Sequence, residues 1–363
     1  QFSRLNYNYY VVAASALILP AFGLLTPAFS SRRRNLSYCS HQRTTATALF
    51  RPGIIIIPGL LLQRSSSSRS PAINQSSRVI KDCGNSNNCS IMSMSSTTDC
   101  ASSPSSMVEV VQVPCLEDNY GYLIHDKATG ATAVVDTPEA GPYKRELAQR
   151  GWKLSHILNT HHHWDHTGAN LELKESDVSI YGPLTERDKI PGIDYAVGSG
   201  ESFAFGDQQV QVLDVGGHTK GHIAFYFPGQ DLVFPGDSLF ALGCGKMFEG
   251  TPIQYWKTLQ TLRSLPDQTI IYCAHEYTMG NAKFAISVEP SNEKLVARVK
   301  DVYDKRSKGL PTVPSTMGEE KETNPFLRFD TSEEIRKNVG ADDTDENHTV
   351  FAKVRNAKDR FRG

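Results

Sequence analysis

The chain has 363 residues, enough for two domains. Its formal net charge is −1, yet ten Lys and Arg and no acid precede Asp82, so residues 1–81 carry +10 and the remainder −11. An acidic body with no basic–aromatic stripe excludes nucleic acid as a partner, and seven cysteines without a CxxC pair exclude a disulfide framework.

The basic, acid-free start reads as a targeting leader. Residues 11–29 are largely apolar and are followed by Arg32-Arg33-Arg34; a second apolar run, Ile54 to Leu62, is broken by Pro58-Gly59; residues 63–106 are rich in Ser and Asn. A membrane span normally needs ~20 apolar residues, and the first run barely reaches that with Pro20 and Pro27 inside it. We therefore expect residues 1–106 to be a leader and linker, disordered or cleaved. The destination is a plastid or a mitochondrion, and no membrane is expected for the mature form. Starts at Met92, Met94 or Met107 would give a cytoplasmic form without the leader. Four cysteines lie in or beside this segment, leaving Cys115, Cys244 and Cys273 as buried apolar side chains.

From Val108 the pattern changes to short β-rich runs divided by turns. Val108–Leu116, Tyr120–His125, Ala131–Asp136 and Leu154–Leu158 read as strands, with a helix around Tyr143–Arg150. After Leu158 comes a loop leading to a helix that holds Leu171 and Leu173. Further strands are expected at Val178–Tyr181, Gln209–Leu213, His222–Phe227 and Leu232–Phe234, then an amphipathic helix at Ile253–Leu265 and a last strand at Thr269–Cys273. Beyond His275 the character is helical. Leu295, Val296, Val299, Val302 and Tyr303 recur at helical spacing up to Gly309 and Pro311, Thr331 with Glu334 forms a capping box, and Phe351, Val354 and Phe361 mark a final helix. Residues 107–275 are thus expected to form an αββα sandwich and residues 276–363 a small helical domain.

The densest chemistry lies in Thr160-His161-His162-His163-Trp164-Asp165-His166, four potential metal ligands within six residues. His161 and His163, two apart in a loop, can turn both imidazoles toward one ion, which His218 completes from another loop. Asp165 and His166 face differently and suit a second ion with His275. Asp237, in Pro235-Gly236-Asp237, has two carboxylate oxygens and can bridge both. Standing alone, His218 and His275 would be ordinary core histidines and Asp237 a turn residue; their order and loop contexts after the motif make them ligands. His162 and Trp164 are expected to pack or to contact the ligands, His222 to be structural, and Asp136 either to orient an imidazole or to serve a turn. Imidazoles with carboxylates suit two divalent ions, zinc first, with iron or manganese tolerated. Such a pair can hold a hydroxide and clamp a substrate's oxygens, so Asp165 and Asp237 count as catalytic through the metals they hold.

These residues resemble those of the metallo-β-lactamase superfamily, and within it the chain is similar to glyoxalase II, the hydroxyacylglutathione hydrolases, over about residues 108–363. Gly243-Cys244-Gly245-Lys246-Met247-Phe248-Glu249-Gly250-Thr251 is similar to that family's glutathione loop. His275-Glu276-Tyr277-Thr278 joins the last ligand to a glutathione-contacting tyrosine, and Asn324-Pro325-Phe326-Leu327-Arg328 and Lys358-Asp359-Arg360-Phe361 belong to its helical domain. The resemblance implies an α/β (α+β) metallo-β-lactamase-type αββα sandwich followed by a small all-helical C-terminal domain. It implies hydrolysis of S-D-lactoylglutathione and related 2-hydroxyacylglutathiones to the hydroxyacid and glutathione through a metal-bridging hydroxide. Glutathione carries two carboxylates, so Lys246, Tyr277, Arg355 and Lys358 are the expected substrate contacts, the last two sharing a helix face. Phe248 stands where the family commonly has tyrosine, which removes one hydroxyl contact. A monomer is the default. The rival on this fold is a glutathione persulfide dioxygenase with a single iron, which does not need the helical domain bearing Arg355 and Lys358. A non-catalytic binding protein would show an eroded ligand set, and none of the seven is missing.

Overall fold

The structure is a computed structural model that describes residues 107–363. The expected leader, its apolar runs and Cys39, Cys83, Cys89 and Cys100 lie outside the described residues. Within them, six strands form one sheet in sequence order: β1 (Val108–Cys115), β2 (Asn119–Asp126), β3 (Thr132–Val135), β4 (His156–Leu158), β5 (Ser179–Pro183) and β6 (Tyr195–Val197). A second sheet runs β12-β11-β10-β9-β8-β7, from β7 (Ser202–Phe205), β8 (Gln208–Asp214), β9 (Ile223–Phe227), β10 (Leu232–Gly236), β11 (Ile270–Cys273) and β12 (Ser315–Thr316). The first sheet is antiparallel over β1–β3 and parallel from β3 to β6. In the second, only the β10/β11 pairing is parallel. β6, β7 and β12 were not anticipated, because runs of two to four residues with few β-branched side chains carry little periodicity.

Alternation along the strands builds the layers. Tyr122, Ile124, Val135 and Leu158 of the first sheet meet Val212, Phe225, Phe227 and Phe234 of the second in one core. The intervening residues Leu123, Val134 and Ile157 turn outward onto α1 (Ala140–Arg150), whose Tyr143 is fully buried, and onto Leu173. On the far side, Ala224, Tyr226 and Val233 pack under a helix at Pro252–Arg263 through its Tyr255, Trp256, Leu259 and Leu262. Both faces of both sheets are covered, which is why β2, β9 and β10 are buried almost throughout. This is the expected αββα sandwich. Phe234 is fully buried, stacked on Tyr272 at 5.2 Å and edge-on to Tyr122 at 5.5 Å. Phe234→Ala should therefore cost about 3–5 kcal/mol, measurable as a lowered urea midpoint.

The helices after α1 are α2 (Trp164–Thr167), α3 (Asn170–Leu173), α4 (Pro252–Arg263), α5 (Thr278–Val288), α6 (Glu293–Ser307), α7 (Met317–Thr323), α8 (Pro325–Arg328), α9 (Glu333–Asn338) and α10 (Asn347–Arg360). Thr251 caps α4, accepting from Gln254 N at 3.2 Å, with Pro252 in the first turn. Phe326, Phe329, Phe351 and Val354 of the C-terminal region share one core with α4 and the second sheet. Among the described residues no helix is long and apolar enough to cross a membrane. Cys115, Cys244 and Cys273 are free and buried.

One local expectation needs correction. Thr331 and Glu334 do not form a capping box. Ser332 caps α9 by accepting from Ile335 N, Thr331 donates back to Arg328 O, and Glu334 takes the Ser291 hydroxyl. The register is set by Ile335, which must be buried. The capping box that does form is Thr316 with Glu319.

Candidate metal centre and substrate cleft

All seven candidate ligands meet at one rim, each in a segment that follows a strand. His161, His163, Asp165 and His166 follow β4, His218 follows β8, Asp237 follows β10 and His275 follows β11. Three groupings of ligand atoms result: His161, His163 and His218; His161, His166 and Asp237; Asp165, His166 and His275. In the first, His163 Nδ1 lies 3.0 Å from both His161 Nε2 and His218 Nε2. In the last, Asp165 Oδ2 lies 3.6 Å from both His166 Nε2 and His275 Nε2. Asp237 stands between them. Its Oδ2 is 3.4 Å from His218 Nε2, while its Oδ1 is 3.5 Å from His166 Nε2 and 3.4 Å from His275 Nε2. One oxygen faces each triad.

The outward nitrogens are held by oxygen acceptors, which fixes how each ring points. His166 Nδ1 is 2.8 Å from Asp136 Oδ2, His275 Nδ1 is 2.9 Å from Asp118 Oδ1, and His218 Nδ1 is 2.7 Å from the Lys246 carbonyl. Thr160 Oγ1 is 3.1 Å from His161 Nδ1, and Asn119 Nδ2 donates to Asp165 Oδ2 at 3.3 Å. Of the two roles open to Asp136, orienting an imidazole is the one realised. Gly236 keeps the ligand turn tight: its φ is +51°, and a Cβ there would sit 2.5 Å from Thr160 Oγ1 and 2.7 Å from His222 Cε1. His222 is structural, its Nε2 accepting the Asp237 amide at 3.1 Å.

The electrostatics suit cations. Burial holds His161 well below the usual imidazole range and lowers His163 and His218, leaving neutral donors. Burial would raise Asp237, but the imidazoles of His275, His166 and His218 hold it far below the usual carboxylate range. Burial also opposes charge on His166, yet Asp237, Asp136 and Asp165 push it up to about 9. His166 Nε2 and Asp237 Oδ1 are buried without a hydrogen-bond partner. Orphaned polar atoms of this kind cost about 1–3 kcal/mol each; a divalent cation between them satisfies both. The donor set therefore fits divalent metal.

Beside the centre lies a cleft of about 450 Å³ whose lining includes Lys246, Tyr277, Arg355 and Lys358, along with Phe240, Cys244 and Asp359. Tyr277 stacks on the ring of His275 at 4.7 Å, so the cleft opens directly against the ligands. Lys246 is exposed, with Nζ 5.3 Å over the Phe248 ring, and Phe248 makes edge contacts with His163 and His218. Lys358 Nζ donates to Gly280 O at 2.8 Å. Arg355 is more committed than its spacing suggested. It is 6% exposed, donates to Cys244 O at 2.9 Å and pairs with Asp359 at 2.9 Å.

The C-terminal helices hold the cleft loop from behind. Glu320 accepts the amide of Leu242, whose φ is +58°; Asn324 donates to Phe240 O and Gly243 O, and Asn281 to Ala241 O. Sequence reasoning placed Asn324 in the helical domain but missed Glu320 and Asn281, as it missed Asp118 and Asn119, although a polar Glu117-Asp118-Asn119 turn between two apolar strands was a usable signal. It also misread Trp164, which is 70% exposed because α2 turns it away from both core and centre. His162 does pack as expected, against Glu186.

A model of the metallo-β-lactamase superfamily matches residues 118–275, and a model of the hydroxyacylglutathione hydrolase C-terminus matches residues 276–361. The hydroxyacylglutathione hydrolase of Methylococcus capsulatus is 51% identical over 258 residues, covering 71% of this chain and 100% of that protein. That of Erythrobacter litoralis is 46% identical over 255 residues, covering 70% and 100%. Among solved structures, ETHE1 from Myxococcus xanthus aligns with a TM-score of 0.48 and 26% identity, over 69% of this chain and 98% of that one. At half-identity across a relative's full length, with both halves matched in order, the chain belongs to the hydroxyacylglutathione hydrolase family of the metallo-β-lactamase superfamily.

Proposed function

We propose that the protein hydrolyses S-D-lactoylglutathione and related 2-hydroxyacylglutathiones to the free hydroxyacid and glutathione, with two divalent ions, zinc first among them. The observation that carries this reading is the abutment of two features: paired ligand triads sharing Asp237, and a cationic cleft opening onto them. Held by His161, His163, His218, Asp237, Asp165, His166 and His275, such ions supply a Lewis acid and a water that ionises near neutral pH.

The remaining work falls to the chain. Lys246 and Lys358 present ammonium groups to the glutathione carboxylates, Tyr277 offers a hydroxyl beside His275, and Arg355 shapes the cleft by holding the Cys244–Gly245 carbonyls. Water adds to the thioester carbonyl carbon and gives up a proton to solvent, the C–S bond breaks, and the thiolate takes a proton from solvent. A free thiol has a pKa near 8.5, so thiolate leaves without a strong general acid. The test compares S-D-lactoylglutathione with the same acyl group on a thiol lacking carboxylates, such as N-acetylcysteamine. We expect kcat/KM to favour the glutathione ester by at least tenfold, with Lys246→Ala and Lys358→Ala each narrowing the gap. Equal rates for both thioesters would overturn the substrate assignment.

A pH effect follows from the same cleft. Burial, with Arg355 beside it, pushes the Lys358 ammonium down to about 8. Below that pH the free enzyme holds a charged Lys358, and above it the amine is neutral. Because kcat/KM reports the free enzyme, it should fall as pH rises through about 8, chiefly through KM. In Lys358→Ala this alkaline limb should flatten.

A further inference from the structure

We propose that Glu186 is a positioning residue that clamps the two loops carrying the first histidine triad, so that its loss loosens that half of the centre selectively. The inference rests on the two-metal reading of the site.

Glu186 lies in the 3-10 turn Leu184–Lys189 after β5, a strand that delivers no ligand. Its side chain is 3% exposed, and a carboxylate so buried must be satisfied by hydrogen bonds. Oε2 accepts from the His162 backbone amide at 3.1 Å and lies 2.8 Å from His162 Nδ1; Oε1 accepts from the Gly221 amide at 2.9 Å. His162 sits between ligands His161 and His163, and Gly221 closes the loop of His218. One carboxylate therefore joins the two backbone segments that supply His161, His163 and His218.

The packing at Gly221 shows how close this approach is. A Cβ there would lie 2.0 Å from Thr185 Oγ1 and 2.7 Å from Glu186 Cγ, so the loop can reach the turn only as glycine. Glu249 reinforces the join from the cleft side. Its Oε2 accepts the Lys220 amide at 3.0 Å, and its Oε1 lies 3.7 Å from His162 Nε2. The second triad is steadied by different residues, Asp118, Asn119 and Asp136. Glu186 makes none of those contacts; Asp136 also holds Thr160 beside His161, but the imidazole it orients is His166, so loss of Glu186 falls chiefly on the first triad.

The experiment follows metal release from the holoprotein to a chromogenic chelator, with metal content measured by elemental analysis and folding by circular dichroism. Wild type should carry close to two ions. Glu186→Ala should release one equivalent about 10–100-fold faster, the range typical when a residue supporting a ligand is lost, while the other equivalent keeps its wild-type rate. Glu186→Gln, which keeps an acceptor for only one of the loops, should fall between. If Glu186→Ala does not fold, Gly221→Ala, which displaces the turn by contact, replaces it with the same expectation. Wild-type release kinetics in every folded variant, or equal acceleration of both equivalents, would overturn the clamp. A wild type that binds only one ion would instead overturn the two-metal reading beneath it.

Discussion

Asp237→Ala is expected to lower kcat/KM for the glutathione thioester by at least about 10³-fold, or roughly 4 kcal/mol of barrier at 1.36 kcal/mol per decade. The size follows from position. Asp237 is the only candidate ligand whose two oxygens face different triads, Oδ2 toward His218 and Oδ1 toward His166 and His275. Removing it takes a donor from both halves at once and withdraws the negative charge that lies between the two triads. A residue serving one ion could leave a partly working centre; this one cannot. Steady-state kinetics with matched metal analysis checks the prediction, and near-normal turnover in Asp237→Ala would refute the bridging assignment. Asp237→Asn, which keeps the shape and one acceptor oxygen, should recover part of the metal content but little of the rate.

The second large effect is expected at Asp136. Its carboxylate accepts the Thr160 amide and hydroxyl, both at 2.8 Å, and orients His166 Nδ1 at 2.8 Å. It does so from a left-handed backbone, φ +54°, whose carbonyl is held by the buried Tyr143 hydroxyl at 2.8 Å. Asp136→Ala should weaken metal binding about 10–100-fold by freeing the His166 ring. It should also cost stability, because alanine tolerates the left-handed region poorly, by about 1–2 kcal/mol, and because the buried Thr160 amide loses its acceptor. Asp136→Asn separates the two contributions. Asparagine accepts the left-handed conformation, so the melting temperature should largely recover while metal affinity stays reduced. Chelator competition and thermal unfolding, run on both variants, read the two effects independently.

These expectations also show why some of the site could be read from sequence and some could not. His161, His163, Asp165 and His166 are local, so the spacing of their side chains is itself the signal. His218, Asp237 and His275 were recognisable by following strands in order. What holds those ligands is another matter. Asp118 meets His275 across 157 positions, and Glu320 reaches Leu242 across 78. Isolated acids such as Glu186 and Glu320 look like surface residues until the sheets bring their partners together. Arg355 shows the reverse difficulty. Helical spacing put it on one face with Lys358 and the family resemblance put that face at the substrate, but neither gave a hint that Asp359, one turn along, and the Cys244 carbonyl would occupy its donors. The layered fold was legible because neighbours along a strand, such as Leu123 between Tyr122 and Ile124, are apolar on both faces and must both be buried. The two-residue β12 has no such pattern to offer.

The central claim, a two-ion centre built for a glutathione thioester, is tested most directly by titrating metal-free protein with zinc while following S-D-lactoylglutathione hydrolysis and oxygen uptake together. Activity that requires about two equivalents per chain, with no oxygen consumed, is the predicted result. Thioester turnover that is absent at full occupancy, or oxygen uptake with a persulfide substrate at one equivalent of iron, would contradict the account and favour the single-iron dioxygenase.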